Sequence, residues 1–182
     1  MLFTGKGDDG TTKLFGACPG ARIAKTSQIF FALGSLDELN SFLGICKVKA
    51  KGVALDSLNL AETIDFLQQD LFIVQAELAG ANYTIAKEKV TNLEKVIKEI
   101  EDQLPEIKSF FIPGSSELAS LLDYARALSR RVERSVLDAL NSDHKIGEET
   151  KAYLNRLSSI LYALARLVNH KLGKVEAKPS YK

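Results

Sequence analysis

Between about Lys25 and Leu172, apolar residues recur every three or four positions, which is the period of a helix with one face turned to a core. Ile29, Leu33, Leu36 and Leu43 form such a stripe, and Thr26 or Ser27 offers a cap for a helix that runs to about Ala50. A second stripe, Leu60, Ile64, Leu67, Leu71, Val74 and Leu78, predicts a helix from about Leu58 to Ala79, ended by Gly80. Leu93, Val96, Ile97 and Ile100 mark a third, from about Lys87 to Leu104, which Pro105 stops. The fourth starts near "PGSSEL", where Ser115 or Ser116 can cap and Glu117 suits a helix N-terminus, and runs to about Leu140. The fifth spans about Glu148 to Leu172, and its Leu154, Leu157, Leu161, Leu164 and Val168 make a heptad seam. Five amphipathic helices with short connections predict an all-α, up-and-down five-helix bundle, and no strand alternation stands out.

The ends of the chain break this pattern. Residues 1–24 are predicted to be an irregular, Gly-rich N-terminal loop, residues 25–172 the bundle, and residues 173–182 a mobile basic tail, all within the single domain 1–182 that this length suits. A formal net charge of +1 gives no general attraction to nucleic acid or membrane. No run approaches the length of a membrane span, and no signal peptide stands out. Cys18 and Cys46 fit neither a disulfide framework nor a metal set. These features predict a cytoplasmic protein, with no nucleic acid or membrane as partner.

Chemistry is then sought locally. The segment "FTGKGDDGTT" carries Gly5, Gly7 and Gly10, whose freedom to adopt positive φ can turn backbone N–H groups toward an anion. Lys6 and Lys13 would add charge, Thr11 and Thr12 hydroxyls, and Asp8 or Asp9 a carboxylate for Mg²⁺ or a ribose. An ordinary flexible terminus would contain the same residues. Gly5 and Gly10 have P-loop spacing, but Thr11 stands where that motif needs Lys, and no strand precedes it.

In "RALSRRVERS", Arg126, Arg130 and Arg134 recur every four positions and line one flank of the fourth helix. Like charges at that spacing repel, so an anionic counterpart is expected, either neighbouring carboxylates or a phosphate group. Arg131 and Glu133 point elsewhere. Asp37, with Ser41 and Gly44, makes a narrow polar face where another helix, subunit or ligand could approach closely, and an ion pair is its expected role. Phe110 or Phe111 should cover a pocket or a flat ligand. Asn155, Ser159, Tyr162 and Arg166 form a polar strip that solvation alone would explain. His144 and His170 lack metal-ligating neighbours, so no metal site is predicted on protein ligands alone. No nucleophile stands in a triad, so the reactive centre of an enzyme built this way belongs to a bound cofactor or substrate.

The ordered set "TGKGDDGTT", "ALGSLDELNSFLG", "FFIPGS", "ARALSRRVERS" and "YLNRLSSILYALAR" resembles the PduO-type ATP:cob(I)alamin adenosyltransferases, also called corrinoid adenosyltransferases. The resemblance implies a homotrimer that transfers the 5′-deoxyadenosyl group of ATP to the cobalt of reduced cobalamin, with Mg²⁺ on the triphosphate and the site between subunits. It implies that Thr4, Gly5, Lys6, Gly7, Asp8, Asp9, Gly10, Thr11, Thr12 and Lys25 hold the nucleotide. Arg130, Arg131, Val132, Glu133, Arg134 and Asn155 would complete that site. It further implies an intersubunit Asp37–Arg126 pair, a catalytic role for Arg126 and Arg130, and a Phe110 that crowds the lower face of the corrin. A reductase and an enzyme that uses adenosylcobalamin are implied partners. Two departures stand out. The basic residue of the loop is one place early, at Lys6, and Ser115 follows Gly114 where the family commonly has a second glycine. A carrier that binds without turnover, and a purely structural bundle, are the competing readings.

Overall fold

A computed structural model describes residues 3–15, 20–53, 58–141 and 144–181. Five helices follow a short hairpin: α1 Gln28–Ala50, α2 Leu60–Leu78, α3 Lys87–Glu101, α4 Glu117–Ala139 and α5 Glu148–Lys171. Extensive packing joins α4 to α5, α1 to α4, α1 to α2 and α3 to α5. The third helix thus reaches the bundle through α5 rather than through α2, its predecessor in the chain.

The heptad seam of α5 explains this centrality. Leu154, Leu157, Leu161, Leu164 and Val168 are all buried, and so are Ile160, Ala165 and Leu167. A helix apolar over so much of its circumference must be covered on more than one side, and α4 and α3 cover it. The full α2 stripe from Leu60 to Leu78 is also buried, whereas Leu33 of α1 and Val96 and Ile97 of α3 only flank the core. Cys46 is enclosed, and burial pushes its thiol pKa up to about 11, which leaves it inert as a thiolate nucleophile. Cys18 lies outside the described residues.

Helix starts differ from expectation in chemistry more than in position. Ser27 and Ser116 occupy the N-cap positions of α1 and α4, but neither side chain caps. Asn59 does cap, its side chain accepting from Glu62 N–H at 3.1 Å. Helix α3 stops at Glu101 instead of Leu104, because turn hydrogen bonds already replace the helical pattern at Gln103 and Leu104 ahead of Pro105.

Three expectations need correction. A two-residue antiparallel pairing does exist, with Thr11 opposite Ala24 and Thr12 opposite Ile23; it is too short to show any alternation in sequence. Over Gln28–Ala50 the mean hydropathy reaches 1.3, which is long and apolar enough to cross a membrane. Here Leu36, Leu39 and Leu43 of that helix are core, while Phe31, Ile45 and Val48 face outward. The tail, finally, does not hang free. Ile112 N–H donates to the Ala177 carbonyl at 2.8 Å, and Ser115 Oγ to the Val175 carbonyl at 3.3 Å.

Leu161→Ala should destabilise the bundle by about 2 to 5 kcal/mol, lowering Tm by roughly 5 to 15 °C. Lys95→Ala, which removes only an exposed 3.8 Å pair with Glu99, should leave Tm nearly unchanged in the same thermal melt.

Candidate functional site

The N-terminal loop is a compact, self-bonded turn at the start of α1. Asp8 N–H donates to the Gly5 carbonyl and Gly10 N–H to the Gly7 carbonyl, both at 3.2 Å, and Thr11 N–H donates to Asp9 Oδ1 at 2.9 Å. Gly5 and Gly10 have φ of 65° and 79°, so both need the left-handed region. Gly7 has no such angle; its role is space. A Cβ there would lie 3.0 Å from Lys25 Nζ and 3.2 Å from the Thr11 carbonyl.

Two cations hold the turn together. Lys25 Nζ donates to the Gly7 carbonyl at 2.7 Å. Arg22 reaches the Thr11 hydroxyl at 2.6 Å, the Thr11 carbonyl at 2.9 Å and the Lys6 carbonyl, and lies 3.6 Å from Asp9. Hydrogen bonds from Thr11, side chain first, hold the Asp9 carboxyl below the usual carboxylate range, and the nearby Arg22 adds to the effect. The expected convergence of loop N–H groups on one point is therefore corrected: several of them are satisfied inside the loop. What the loop presents outward is the Thr4 hydroxyl and the charges of Lys6, Asp8 and Lys13, with Lys25 beside them. Arg22 escaped the sequence reading because two of its partners are backbone carbonyls and the others, Thr11 and Asp9, lie more than ten residues away, which leaves no local pattern.

The arginine stripe of α4 divides. Arg126 and Arg130 line a cleft of about 670 Å³ with Ile97 and Glu101 of α3, the connection Leu104 to Ile107, and Ser158, Ser159 and Tyr162 of α5. Arg134 is exposed two turns beyond Arg126. Arg131 turns to α1 and binds Glu38 at 2.9 Å. Val132 is wholly buried, so the expectation that all of "RRVER" faces a ligand is corrected for that side chain; Glu133 is half-buried. Asn155 is exposed on α5, one turn before Ser159 on the same face.

Asp37 and Arg126 are not joined within the chain. The carboxylate nearest Arg126 is Asp123, at 3.6 Å, and Asp37 is exposed on α1 without an ion pair among the described residues.

The larger surprise is Arg166. Placed by sequence in a solvated strip, it is only 3% exposed and pairs with two carboxylates, Asp123 of α4 and Glu176 of the tail. Its guanidinium also lies 5.0 Å from the Tyr162 ring centroid and 5.5 Å from that of Phe111. A buried cation needs such partners, since desolvation without them would cost several kcal/mol. Burial is also the main reason the Tyr162 hydroxyl pKa is raised. Asp123 sits within a helical stripe of apolar neighbours and Glu176 beyond the last helix, so periodicity gave no hint of either. Phe111 packs here, while Phe110 next to it is 80% exposed. Phe111 and Arg166 line a second cleft of about 170 Å³ that shares Leu104, Pro105, Glu106 and Ile107 with the first. One groove thus leads from Arg130 to Phe111. No group of three or more His, Cys, Asp or Glu side chains able to hold a metal occurs among the described residues.

Comparison with known proteins agrees with this architecture. A family model described as cobalamin adenosyltransferase matches residues 2–168. The chain is 38% identical over 176 residues to the corrinoid adenosyltransferase of Bacillus subtilis (strain 168), covering 94% of this chain and 88% of that protein. Identity to the corrinoid adenosyltransferase PduO of Citrobacter freundii is also 38% over 176 residues, where 93% of this chain spans 50%, half the length, of the relative. A variant of a PduO-type ATP:corrinoid adenosyltransferase from Lactobacillus reuteri, solved in complex with cobalamin and ATP, superposes with a TM-score of 0.88 at 26% identity, covering 100% of this chain and 97% of that one. Another variant of that enzyme, complexed with ATP, gives 0.85 at 27% identity, with 98% and 100% covered.

Arg22→Ala should open the N-terminal turn without disturbing the bundle. Amide exchange at Asp8, Gly10 and Thr11 should accelerate about tenfold or more while helical amides keep their protection; unchanged loop exchange would remove Arg22 from its holding role.

Proposed function

The chain belongs to the cobalamin adenosyltransferase family, and from this premise we infer that it transfers the 5′-deoxyadenosyl group of ATP to the cobalt of a reduced corrinoid, with release of triphosphate. The observation that carries the reading within the molecule is the groove in which Arg126 and Arg130 stand at one end and Phe111 at the other, with the exposed Phe110 next to Phe111 in the chain. A polyanion and a flat, apolar macrocycle need those two ends.

In this reaction the cobalt(I) electron pair forms the Co–C bond at the ribose 5′ carbon, the C5′–O bond breaks, and its pair leaves on triphosphate. The nucleophile is the substrate itself, so the protein's task is alignment and stabilisation of the leaving charge. Arg130 and Arg126 face that charge from α4. Thr4 to Thr12, with Lys6 and Lys25, hold the phosphates, and Asn155 contacts the nucleotide from α5. Mg²⁺ would be held by the triphosphate and the exposed Asp8 carboxylate, and would neutralise part of the leaving charge. Phe110, thrust into solvent in the single chain, covers the lower face of the corrin and excludes a lower axial ligand from cobalt(II). Loss of that ligand lowers the acceptor orbital and makes reduction to cobalt(I) feasible.

Assembly completes the site. The outward apolar residues Phe31, Ile45 and Val48 of α1, together with an Asp37 that lacks a partner in its own chain among the described residues, support a homotrimer in which Asp37 meets Arg126 of a neighbouring copy. A reductase that delivers the electron and an enzyme that consumes adenosylcobalamin are the partners this chemistry requires, in the cytoplasm.

Anaerobic incubation with cob(I)alamin, ATP and Mg²⁺, followed by the corrin absorption spectrum, tests the reading: conversion to adenosylcobalamin is expected. Binding of ATP without conversion would favour a carrier instead. Phe110→Ala should slow the reaction from cob(II)alamin plus reductant by about 100-fold or more while changing the rate from preformed cob(I)alamin far less; equal slowing would refute the assigned role. Asp37→Asn should shift sedimentation toward smaller species or cut activity; a fully active trimer would count against the interface pair.

A further inference from the structure

Phe110 is 80% exposed, so contacts of its own side chain do not fix its direction. Its placement must come from the backbone around it, and the segment that follows is held by the C-terminal tail and, at the Ser116 carbonyl, by Ser120 of α4. Ile112 N–H donates to Ala177, Ser115 Oγ to Val175, and Arg166, locked by Glu176, lies over Phe111. Glu176 also accepts from Asn169 Nδ2 at 2.7 Å, and Asn169 Oδ1 accepts from Ser116 Oγ at 2.6 Å. Residues 111, 112, 115 and 116 are thus each tied, directly or through one side chain, to residues 175–177.

Within the tail Glu176 is the anchor. Val175 and Ala177 are exposed and contribute only backbone carbonyls, whereas Glu176 reaches inward to a guanidinium that is 3% exposed. On the far side of the same guanidinium Asp123 approaches Arg126 at 3.6 Å, so the clasp spans both ends of the groove.

We propose that Glu176 is a positioning residue: through Arg166 and Asn169 it clamps the tail against residues 111–116 and so aims Phe110 at the corrin. This rests on the adenosyltransferase reading given above. Glu176 lies outside every helix, and when it is replaced Asp123 remains as the counterion of Arg166.

The test is Glu176→Ala in the full chain, assayed from cob(II)alamin with reductant and from preformed cob(I)alamin, beside the electron paramagnetic resonance spectrum of cob(II)alamin bound with ATP. We expect the cob(II)alamin rate to fall about 10- to 100-fold, the cob(I)alamin rate to change about threefold or less, and the signal of cobalt(II) lacking its lower axial ligand to diminish. Glu176→Gln, which keeps an oxygen acceptor for Asn169 and Arg166, should recover part of the loss. Equal slowing of both reactions, no slowing, or an unaltered cobalt signal would overturn the proposal while the unaltered chain still converts cob(I)alamin. Failure of the unaltered chain to convert cob(I)alamin would overturn it together with the reading beneath it.

Discussion

A guanidinium buried among helices is the constraint around which the groove is organised. Arg166 enters the bundle on α5, the helix with most of its surface covered, and there it must be neutralised or destabilise the fold. Asp123 supplies one counterion from α4 and Glu176 another from beyond the last helix. Two carboxylates on one cation leave a residual negative charge, and Arg126 stands 3.6 Å from Asp123, where it offsets that charge. Charge balance in the core thereby reaches Arg126 on the wall of the groove, and Glu176 brings the tail into that balance.

The fold separates rigid from adjustable parts. Apolar seams on α2 and α5 fix the helices, and the groove is cut where α3 ends early and Pro105 carries the chain across the bundle. At the start of α1, the turn proposed to meet the phosphates is held by Arg22 and Lys25, largely through backbone carbonyls. Lys25 is engaged with Gly7 in the single chain, so in the proposed complex a phosphate oxygen would replace that carbonyl, an exchange that a charge-assisted contact favours. The shape of the turn is set before the anion arrives, which reduces the ordering cost of binding.

The helices were legible because burial imposes a period on sequence. Leu154 to Val168 and Leu60 to Leu78 spell out their faces, and those positions are core. That Arg126 and Arg130 share one flank of α4 was also legible, since residues four apart lie on the same helix face. Other features were hidden for physical reasons. Arg166 looks like surface because its counterions lie 43 residues before it and 10 after it, a separation no local pattern encodes. Arg22 bonds in part to carbonyls, which every residue possesses, and its side-chain partners Thr11 and Asp9 are distant in sequence. Ser27 and Ser116 have the composition of caps without the geometry, whereas Asn59 has both. The interface role proposed for Asp37 depends on a second copy, and the single chain shows only an exposed carboxylate on α1.

The central claim is that one groove, completed by a neighbouring copy, aligns a corrinoid cobalt with the 5′ carbon of ATP while α4 receives the departing phosphates. A crystal structure of this chain with ATP, Mg²⁺ and cob(II)alamin tests it most directly. The account predicts density for triphosphate at Arg130 and the Thr4 to Thr12 turn, a corrin ring above Phe110, and Asp37 of one copy against Arg126 of the next. A corrinoid bound away from Phe110, or a triphosphate with no contact to α4, would contradict it.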